Sequence, residues 1–139
     1  MKKKYFGYAL LVFILLGAII FVACGKVEAK ANGFTFSYEK NSAQKVEDDE
    51  HNYIKVKLAI KNTKDEKNTL VANKFKLYQG EKEVFAEVYF GNNIVDKMDS
   101  EEFEAGASMD MIINLLLDEE VAGKLVLWYD ETNLFEFNV

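Results

Sequence analysis

Apolar and polar residues alternate along several segments of this chain. In residues 54–61 every even position is apolar, and three of the four odd positions are lysine. Residues 109–117 carry an apolar residue at every odd position, and residues 34–38 alternate aromatic with polar side chains. A period of two places the apolar residues on one face of a β-strand. The pattern therefore predicts three half-buried strands.

Shorter apolar segments predict further strands. Residues 75–78 and 84–88 flank Gly80 and are typical of a hairpin, because glycine adopts the positive φ that a tight turn requires. Residues 125–129 and 134–139 predict two more strands that close the chain. All of these segments are short, as the strands of an antiparallel sheet usually are.

The segments between the predicted strands are polar. Residues 41–52 contain four consecutive acids and predict an exposed loop, and residues 92–100 are expected to be irregular. Residues 118–122 predict one helical turn, since acids suit the first turn of a helix and Gly123 can end it. About seven short strands in some 100 residues favour an all-β fold, an antiparallel β-sandwich.

The N-terminus differs from the rest of the chain. Three lysines at positions 2–4 precede the uncharged residues 5–23, which is the layout of a signal helix. At about 1.5 Å per residue this stretch could also just span a membrane, so an uncleaved anchor is the alternative. We expect a signal peptide in residues 1–23, a short tether in 24–33 and one folded domain in 34–139.

Cys24, the only cysteine of the chain, follows the apolar stretch directly. The run Phe21, Val22, Ala23 and Cys24 resembles the lipobox of bacterial lipoprotein signal peptides. The resemblance implies that the Cys24 sulfur receives a diacylglycerol, and that a peptidase recognises Phe21, Val22 and Ala23 and cuts before Cys24. A single thiol also excludes an internal disulfide, so the fold must be stable without one.

Charge narrows the choice of partners. The formal net charge is −6, and it becomes −9 when the three lysines before Cys24 are removed. Nucleic acid is therefore not an expected partner, because phosphate contacts need a basic surface. An acidic chain is also not attracted to anionic lipid, so we expect the acyl chains on Cys24 to hold the membrane.

The order of several short motifs resembles a known family. Residues 58–63 are followed by residues 73–78 and Gly80, and later residues 103–108 precede the long apolar strand. Residues 124–130 complete the order near the end. It is similar to the immunoglobulin-like domain of unknown function found in many Gram-positive lipoproteins and secreted proteins. The resemblance covers about residues 34–139 and implies an immunoglobulin-like β-sandwich, with no agreed activity and no catalytic residues.

One cluster could hold a cation. It consists of Glu47, Asp48, Asp49, Glu50 and His51. Carboxylates crowded with an imidazole could bind a divalent ion, and oxygen donors suit Ca²⁺. Because the residues show no regular ligand spacing, we favour the simpler interpretation, a solvated acidic loop.

No set of residues predicts catalysis. A Ser-His-Asp enzyme would have to use His51, the only histidine, and no Gly-x-Ser-x-Gly motif surrounds any serine. Neighbouring acids such as those at 101–102 and 119–120 usually face water rather than a cleft. Zinc hydrolysis would need further histidine or cysteine ligands. We therefore expect no enzymatic activity and no cofactor.

Two aromatic features have alternative interpretations. Trp128, the only tryptophan, lies between Leu127 and Tyr129 in a predicted strand. We expect it to pack on the sandwich, although an exposed tryptophan would instead anchor an interface. The apolar residues in 88–95 could form a recognition edge or cap one end of the core.

These observations favour a membrane lipoprotein on the extracellular face of the cell membrane, with a non-catalytic binding or envelope-interaction module. Its expected partners are the membrane, through the lipid, and another protein or envelope component. Two alternatives stay open: a lipoprotein that binds a small ligand or cation, and a membrane-exclusion or immunity lipoprotein. The sequence does not identify the partner, because sandwich faces, edges and loops can all bind.

Overall fold

The computed structural model of the chain describes residues 25–90, 93–95 and 99–138. The predicted signal helix 1–23, with Phe21, Val22 and Ala23, and the predicted lipidation site Cys24 lie outside these residues. Within them, no helix is long and apolar enough to cross a membrane. The strands are β1 (Lys26–Ala31), β2 (Phe34–Glu39), β3 (Gln44–Glu47), β4 (Asn52–Asn62), β5 (Asn68–Val71), β6 (Phe75–Gln79), β7 (Lys82–Val84), β8 (Ala86–Phe90), β9 (Asn93–Val95), β10 (Ser100–Phe103), β11 (Ser108–Leu116), β12 (Leu125–Tyr129) and β13 (Thr132–Phe137).

The strands form an antiparallel β-sandwich, as the sequence predicted. The first sheet has the order β1-β2-β4-β11-β8-β9, with β3 also paired to β4. The opposite layer contains a four-stranded sheet, β13-β12-β6-β7, and a two-stranded sheet, β10-β5. The described residues thus form thirteen strands rather than about seven, because the predicted segment 84–88 is divided between two strands and β1, β3, β5, β9 and β10 were not expected.

The centre of the first sheet is the pair β4 and β11, which matches the two clearest alternating segments. Leu58 faces Met111 and Val56 faces Ile113 across the pair, and all four side chains are buried. Their alternate neighbours Lys55 and Lys57 are exposed on the outer face. The two hydrophobic patterns therefore fix a single register, since a slip of one residue would expose both apolar faces.

Residues 26–31, which the sequence placed within a tether at 24–33, form a strand in the structure. Residues 26–31 form β1, which pairs with β2 along its full length. Its apolar residues Val27, Ala29 and Ala31 are buried on the sandwich. The hairpin turns at Asn32 and Gly33, whose φ angles of 51° and 80° suit the two-residue turn that Asn-Gly favours. The folded domain therefore begins next to Gly25 and not at Phe34.

Three segments predicted to be irregular or helical differ in the structure. Residues 44–47 of the expected loop form β3, because they pair with residues 52–55 at the edge of β4 that β2 leaves open. Residues 93–95 form β9 on the edge of the first sheet. Residues 118–121 make a single turn closed by the Val121 N–H and the Asp118 carbonyl at 3.1 Å, not a helical turn.

The predicted hairpin at Gly80 is present between β6 and β7. Gly80 has a φ of +60°, and a Cβ there would lie 2.8 Å from the carbonyl oxygen of Ala122. Glycine is therefore needed for both conformation and space. After β7 the chain passes through Phe85 into β8, which joins the other sheet, so residues 84–88 are not one strand.

Aromatic rings fill the space between the layers. Phe34 and Phe36 from β2 contact Tyr129 from β12 with ring centroids 6.3 and 5.2 Å apart. Phe75 from β6 lies 4.8 Å from the same Tyr129 ring. The buried Tyr129 hydroxyl accepts a hydrogen bond from the Val71 N–H at 3.1 Å, which satisfies its polar end. The aromatic core thus connects both sheets of the opposite layer to the first sheet.

Candidate functional site

A hollow of about 680 Å³ lies at one end of the sandwich, and we call it the acidic groove. Three segments that are distant in sequence form its walls. They are the loop between β3 and β4, the segment from β7 to Phe85, and the turn after β11. Its lining residues are Asp48, Asp49, Glu50, His51, Asn52, Lys82, Glu83, Val84, Phe85, Leu116, Leu117, Asp118, Glu119 and Glu120.

The first wall is held by Asp48. Its Oδ1 accepts hydrogen bonds from the backbone N–H groups of His51 at 2.6 Å and Glu50 at 2.9 Å. The Asp48 N–H also donates to the His51 carbonyl at 3.1 Å. The hydrogen bonds from His51 and Glu50 lower the pKa of the Asp48 carboxyl, because they stabilise its ionised form. The loop is thus closed by its own side chain.

This closure changes the interpretation of the predicted cation site at Glu47, Asp48, Asp49, Glu50 and His51. Glu47 is the last residue of β3, and all five residues are exposed. No three His, Cys, Asp or Glu residues in the described part of the chain are placed to hold a metal ion. In the structure the Asp48 Oδ1 accepts from backbone N–H groups, and the cation site stays a prediction.

The opposite wall is organised by Asp118. Its Oδ2 lies 2.5 Å from the Lys82 Nζ, and its Oδ1 accepts a hydrogen bond from the Glu120 N–H at 3.0 Å. Its own N–H donates at 2.9 Å to the Oε1 of Gln79, which is buried. The Lys82 ammonium is the main cause that lowers the pKa of the Asp118 carboxyl, and the same contact raises the pKa of Lys82.

A side-chain contact joins the wall formed by the β3–β4 loop to the wall formed by the turn after β11. The Asn52 Nδ2, at the start of β4, donates to the Glu119 Oε1 in the turn after β11. The Leu117 N–H donates to the Asn52 carbonyl at 2.9 Å, so the backbone fixes the same approach. The shape of the acidic groove is therefore set by the sheet and does not depend on a ligand.

The groove combines charge with one exposed ring. Seven of its lining residues are acidic, and they face a single lysine, Lys82, which is already paired with Asp118. Phe85 is 50% exposed, the only large hydrophobic side chain so exposed in the described part of the chain. An exposed ring beside carboxylates can contact a partner that carries both apolar and cationic groups.

The sequence did not identify this groove. It selected residues 47–51 but for a different chemistry, and it interpreted residues 118–122 as a helical turn. Phe85 was treated as part of a strand. The sequence held two signals that could have been combined. One was the acidic turn at 118–120, and the other was Phe85, an apolar residue that interrupts the alternation where the chain passes from one sheet to the other.

The predicted recognition edge at residues 88–95 is only partly described. Val88 is buried in the core, and Tyr89 is half-buried on the outer face of the first sheet. The Tyr89 hydroxyl donates to the Glu87 Oε2 at 3.4 Å, and burial is the main cause that raises the pKa of Tyr89. For Phe90, Ile94 and Val95 the structure describes the backbone and not the side chains.

Trp128 packs on the outer face of the sandwich and not between its layers. It is half-buried on the outer face of β12, between the buried Leu127 and Tyr129. Its ring centroid lies 6.4 Å from that of Tyr78, and the two rings are nearly perpendicular at 81°. Alternation along β12 gives the reason, because the core face of this strand is filled by Leu125, Leu127 and Tyr129.

Comparison with known proteins yields one structural neighbour. No family model matches the sequence, and no curated protein matches it. The fold is similar to that of ycdA from Bacillus subtilis, which is named a "putative lipoprotein", with a TM-score of 0.51 and 18% sequence identity. The match covers 73% of this chain and 32% of ycdA, so the chain spans less than half of that protein. At this identity the likeness shows a shared fold alone.

Proposed function

We propose that the protein is an extracellular lipoprotein, anchored by a lipid on Cys24, whose sandwich is a non-catalytic binding module. The anchor rests on the signal-like residues 1–23 and the lipobox-like run 21–24. A neighbour in fold that is named a lipoprotein supports the same assignment. We also propose that the sandwich belongs to the immunoglobulin-like family that the sequence motifs resemble.

The acidic groove carries the proposal of a binding role. Its walls are built before any partner arrives, and it exposes Phe85 among seven acidic residues. Single exposed apolar side chains are common on monomers, but aromatic rings, phenylalanine included, are enriched at protein interfaces. The partner that fits is an envelope protein with a basic segment containing apolar residues. The opposite charges of the acidic groove and the basic segment would speed their association at low ionic strength.

Metabolic labelling with a fatty-acid analogue tests the anchor. Cells that produce the full-length chain should yield a labelled protein, and Cys24→Ala should carry no label because the acylated sulfur is absent. Phe85→Ala is the matched control and should be labelled like the parent. An unlabelled parent would contradict the lipoprotein assignment.

Photo-crosslinking in the same cells tests the groove. A benzoylphenylalanine in place of Phe85 should form an adduct with one envelope component, and the same probe in place of the exposed Lys61, far along β4, should not. Glu119→Gln with Glu120→Gln should reduce the adduct, since these changes remove two negative charges from one wall. Equal adducts from both probe positions would show that the groove does not select a partner.

The early start of β1 constrains how the module stands on the membrane. If Cys24 carries the lipid, Gly25 alone separates it from β1. Residues 24–26 together reach only about 10 Å when they are fully extended. The domain is then held against the lipid surface. Energy transfer from Trp128, the only tryptophan, to a dansyl-labelled lipid should fall when a flexible linker is inserted after Gly25. Unchanged transfer would mean that the domain already stands away from the membrane.

A further inference from the structure

The outer face of the four-stranded sheet contains a second hollow, separate from the acidic groove. It has a volume of about 310 Å³ and is open to solvent. Its lining residues are Tyr78, Gly80, Val126, Trp128 and Asn133, none of which lines the acidic groove. The volume is at the lower end of ligand pockets, which run from about 300 to 1,000 Å³.

The two aromatic rings give the hollow its shape. Because the Tyr78 and Trp128 rings stand at 81° with centroids 6.4 Å apart, they form two walls of a corner. Val126 lies opposite Tyr78 in the β12–β6 register and supplies the apolar floor.

A β-bulge places the polar group of the corner. The register between β12 and β13 shifts between Leu127 and Trp128, so that Leu127 faces Phe135 while Trp128 faces Asn133. Leu134 and Phe135 are consequently both buried, and the exposed Asn133 takes the outer position beside Trp128. Without the shift an apolar leucine would stand opposite the tryptophan. Bulges often occur where a side chain must be redirected at a functional site.

The polar groups of the corner are available to a ligand. In the described part of the chain, no side-chain hydrogen bond uses the Trp128 Nε1–H, the Tyr78 hydroxyl or the Asn133 amide. Because the corner is open to solvent, these groups can exchange bound water for the polar groups of a ligand. Together the three side chains offer an indole donor, a hydroxyl that donates or accepts, and an amide that does both.

The hollow is lined by uncharged residues, and two ion pairs lie on its strands. Lys76 pairs with Glu83 at 3.4 Å on one side, and Lys124 pairs with Glu136 at 4.0 Å on the other. The chain as a whole is acidic, with a formal net charge of −6. A hollow whose five lining residues all lack a charge favours an uncharged ligand.

We propose that Tyr78, Trp128 and Asn133 form a binding site for an uncharged pyranose saccharide. The C–H face of a pyranose ring stacks on one aromatic wall, and its hydroxyl groups exchange hydrogen bonds with the indole N–H, the phenol and the amide. This site is independent of the acidic groove and of its protein partner.

The single tryptophan allows a direct test on the full-length chain, solubilised in a polyoxyethylene detergent that contains no sugar. The probes are tri-N-acetylchitotriose, maltotriose and cellotriose, each added to about 10 mM. We expect at least one of them to shift or quench the Trp128 emission with saturation. No response to any of the three would overturn the proposal. A response to a Lys-Phe-Lys peptide but to no saccharide would overturn it too and would make this face a protein-binding surface.

Variants show which residues the saccharide response of Trp128 depends on. Tyr78→Phe and Asn133→Ala keep the reporter, and each should weaken saccharide binding about fivefold to tenfold, since each removes a hydrogen-bonding group. Trp128→Phe, followed by calorimetry, should weaken binding by at least tenfold. Phe85→Ala is the matched control and should change the affinity less than twofold. Equal affinities in parent, Tyr78→Phe and Asn133→Ala would refute this assignment of the site.

Discussion

Replacing Asn62 should strongly destabilise the domain. This residue ends β4 in a fully buried position. Its Nδ2 lies 2.8, 3.3 and 3.1 Å from the carbonyl oxygens of Glu66, Phe103 and Glu104, and its Oδ1 accepts from the Lys64 N–H at 3.0 Å. One amide thus joins β4 to the loop that follows it and to the end of β10.

The magnitude follows from these contacts. The two N–H groups of Nδ2 serve three acceptors, so about three net hydrogen bonds are lost in Asn62→Ala, counting the one to Lys64. At about 1 kcal/mol each, with a buried carbonyl left unsatisfied, the free energy of unfolding should fall by about 2–4 kcal/mol. That is a large part of the 5–15 kcal/mol typical of a domain.

Urea unfolding of a soluble fragment beginning at Gly25 measures this loss, with Trp128 emission as the signal. For a slope of about 1–3 kcal/mol per M, the midpoint should fall by about 1–3 M. Asn41→Ala is the matched control, because Asn41 is exposed and its replacement should cost less than about 0.5 kcal/mol. A loss below about 1 kcal/mol for Asn62→Ala would refute the reasoning.

Asn62→Asp removes the hydrogen-bond donors of the amide but keeps the volume of the side chain, so it tests the donors alone. The new carboxylate would face three carbonyl oxygens, and burial and repulsion would raise its pKa in the folded state above the unfolded value. The ionised form therefore favours unfolding at neutral pH. As the pH falls through the raised folded pKa, protonation restores a donor and the difference from the parent should narrow. A difference that does not depend on pH would contradict this account.

Three further changes have defined outcomes. Tyr129→Phe removes the acceptor of the Val71 N–H and should lower the free energy of unfolding by about 1 kcal/mol, measured in urea. Gly33→Ala should cost about 1–2 kcal/mol in the same assay, because its φ is +80° and its Cβ would meet the Lys64 side chain. The lowered pKa of Asp118 contributes stability that is present above pH about 4 and is lost as the pH falls through the folded pKa. Urea midpoints of Asp118→Asn should therefore depend less on pH below about 4 than those of the parent, and identical profiles would exclude this contribution.

The regular part of the fold could be predicted because its pattern is redundant. In β4 and β11 each apolar residue indicates the same face as its alternate neighbours, and the two strands pair along nine positions. A strand of that length tolerates one ambiguous residue without losing its register. The hairpin at Gly80 was equally clear, because its turn residue has a conformational reason of its own.

β1 escaped prediction because its contrast is weak. Val27, Ala29 and Ala31 alternate with charged residues, but alanine is only slightly more apolar than the residues of a loop. The better signal was the turn. Asn32 and Gly33 form the dipeptide that most strongly favours a two-residue hairpin, directly before the predicted strand that begins at Phe34.

The acidic groove could not be predicted from local patterns. Its walls come from residues 48–51, 82–85 and 117–120, and each of these alone has the composition of an ordinary exposed turn. Their meeting depends on which strands are neighbours in the sheets. That order is decided by long-range pairing, for which a single sequence contains no direct signal.

At Trp128, a register shift of one residue determines which side chains the outer face of the sheet exposes. Strict alternation in β13 would direct Leu134 outward, opposite Trp128, and the outer face would then carry an apolar stripe. The bulge instead buries Leu134 beside Phe135 and brings Asn133 to the tryptophan. An apolar stripe on a sheet favours association with another protein, whereas an amide beside two perpendicular rings favours a small polar ligand. The kind of partner suited to this face therefore depends on the bulge more than on the residue types along the strand.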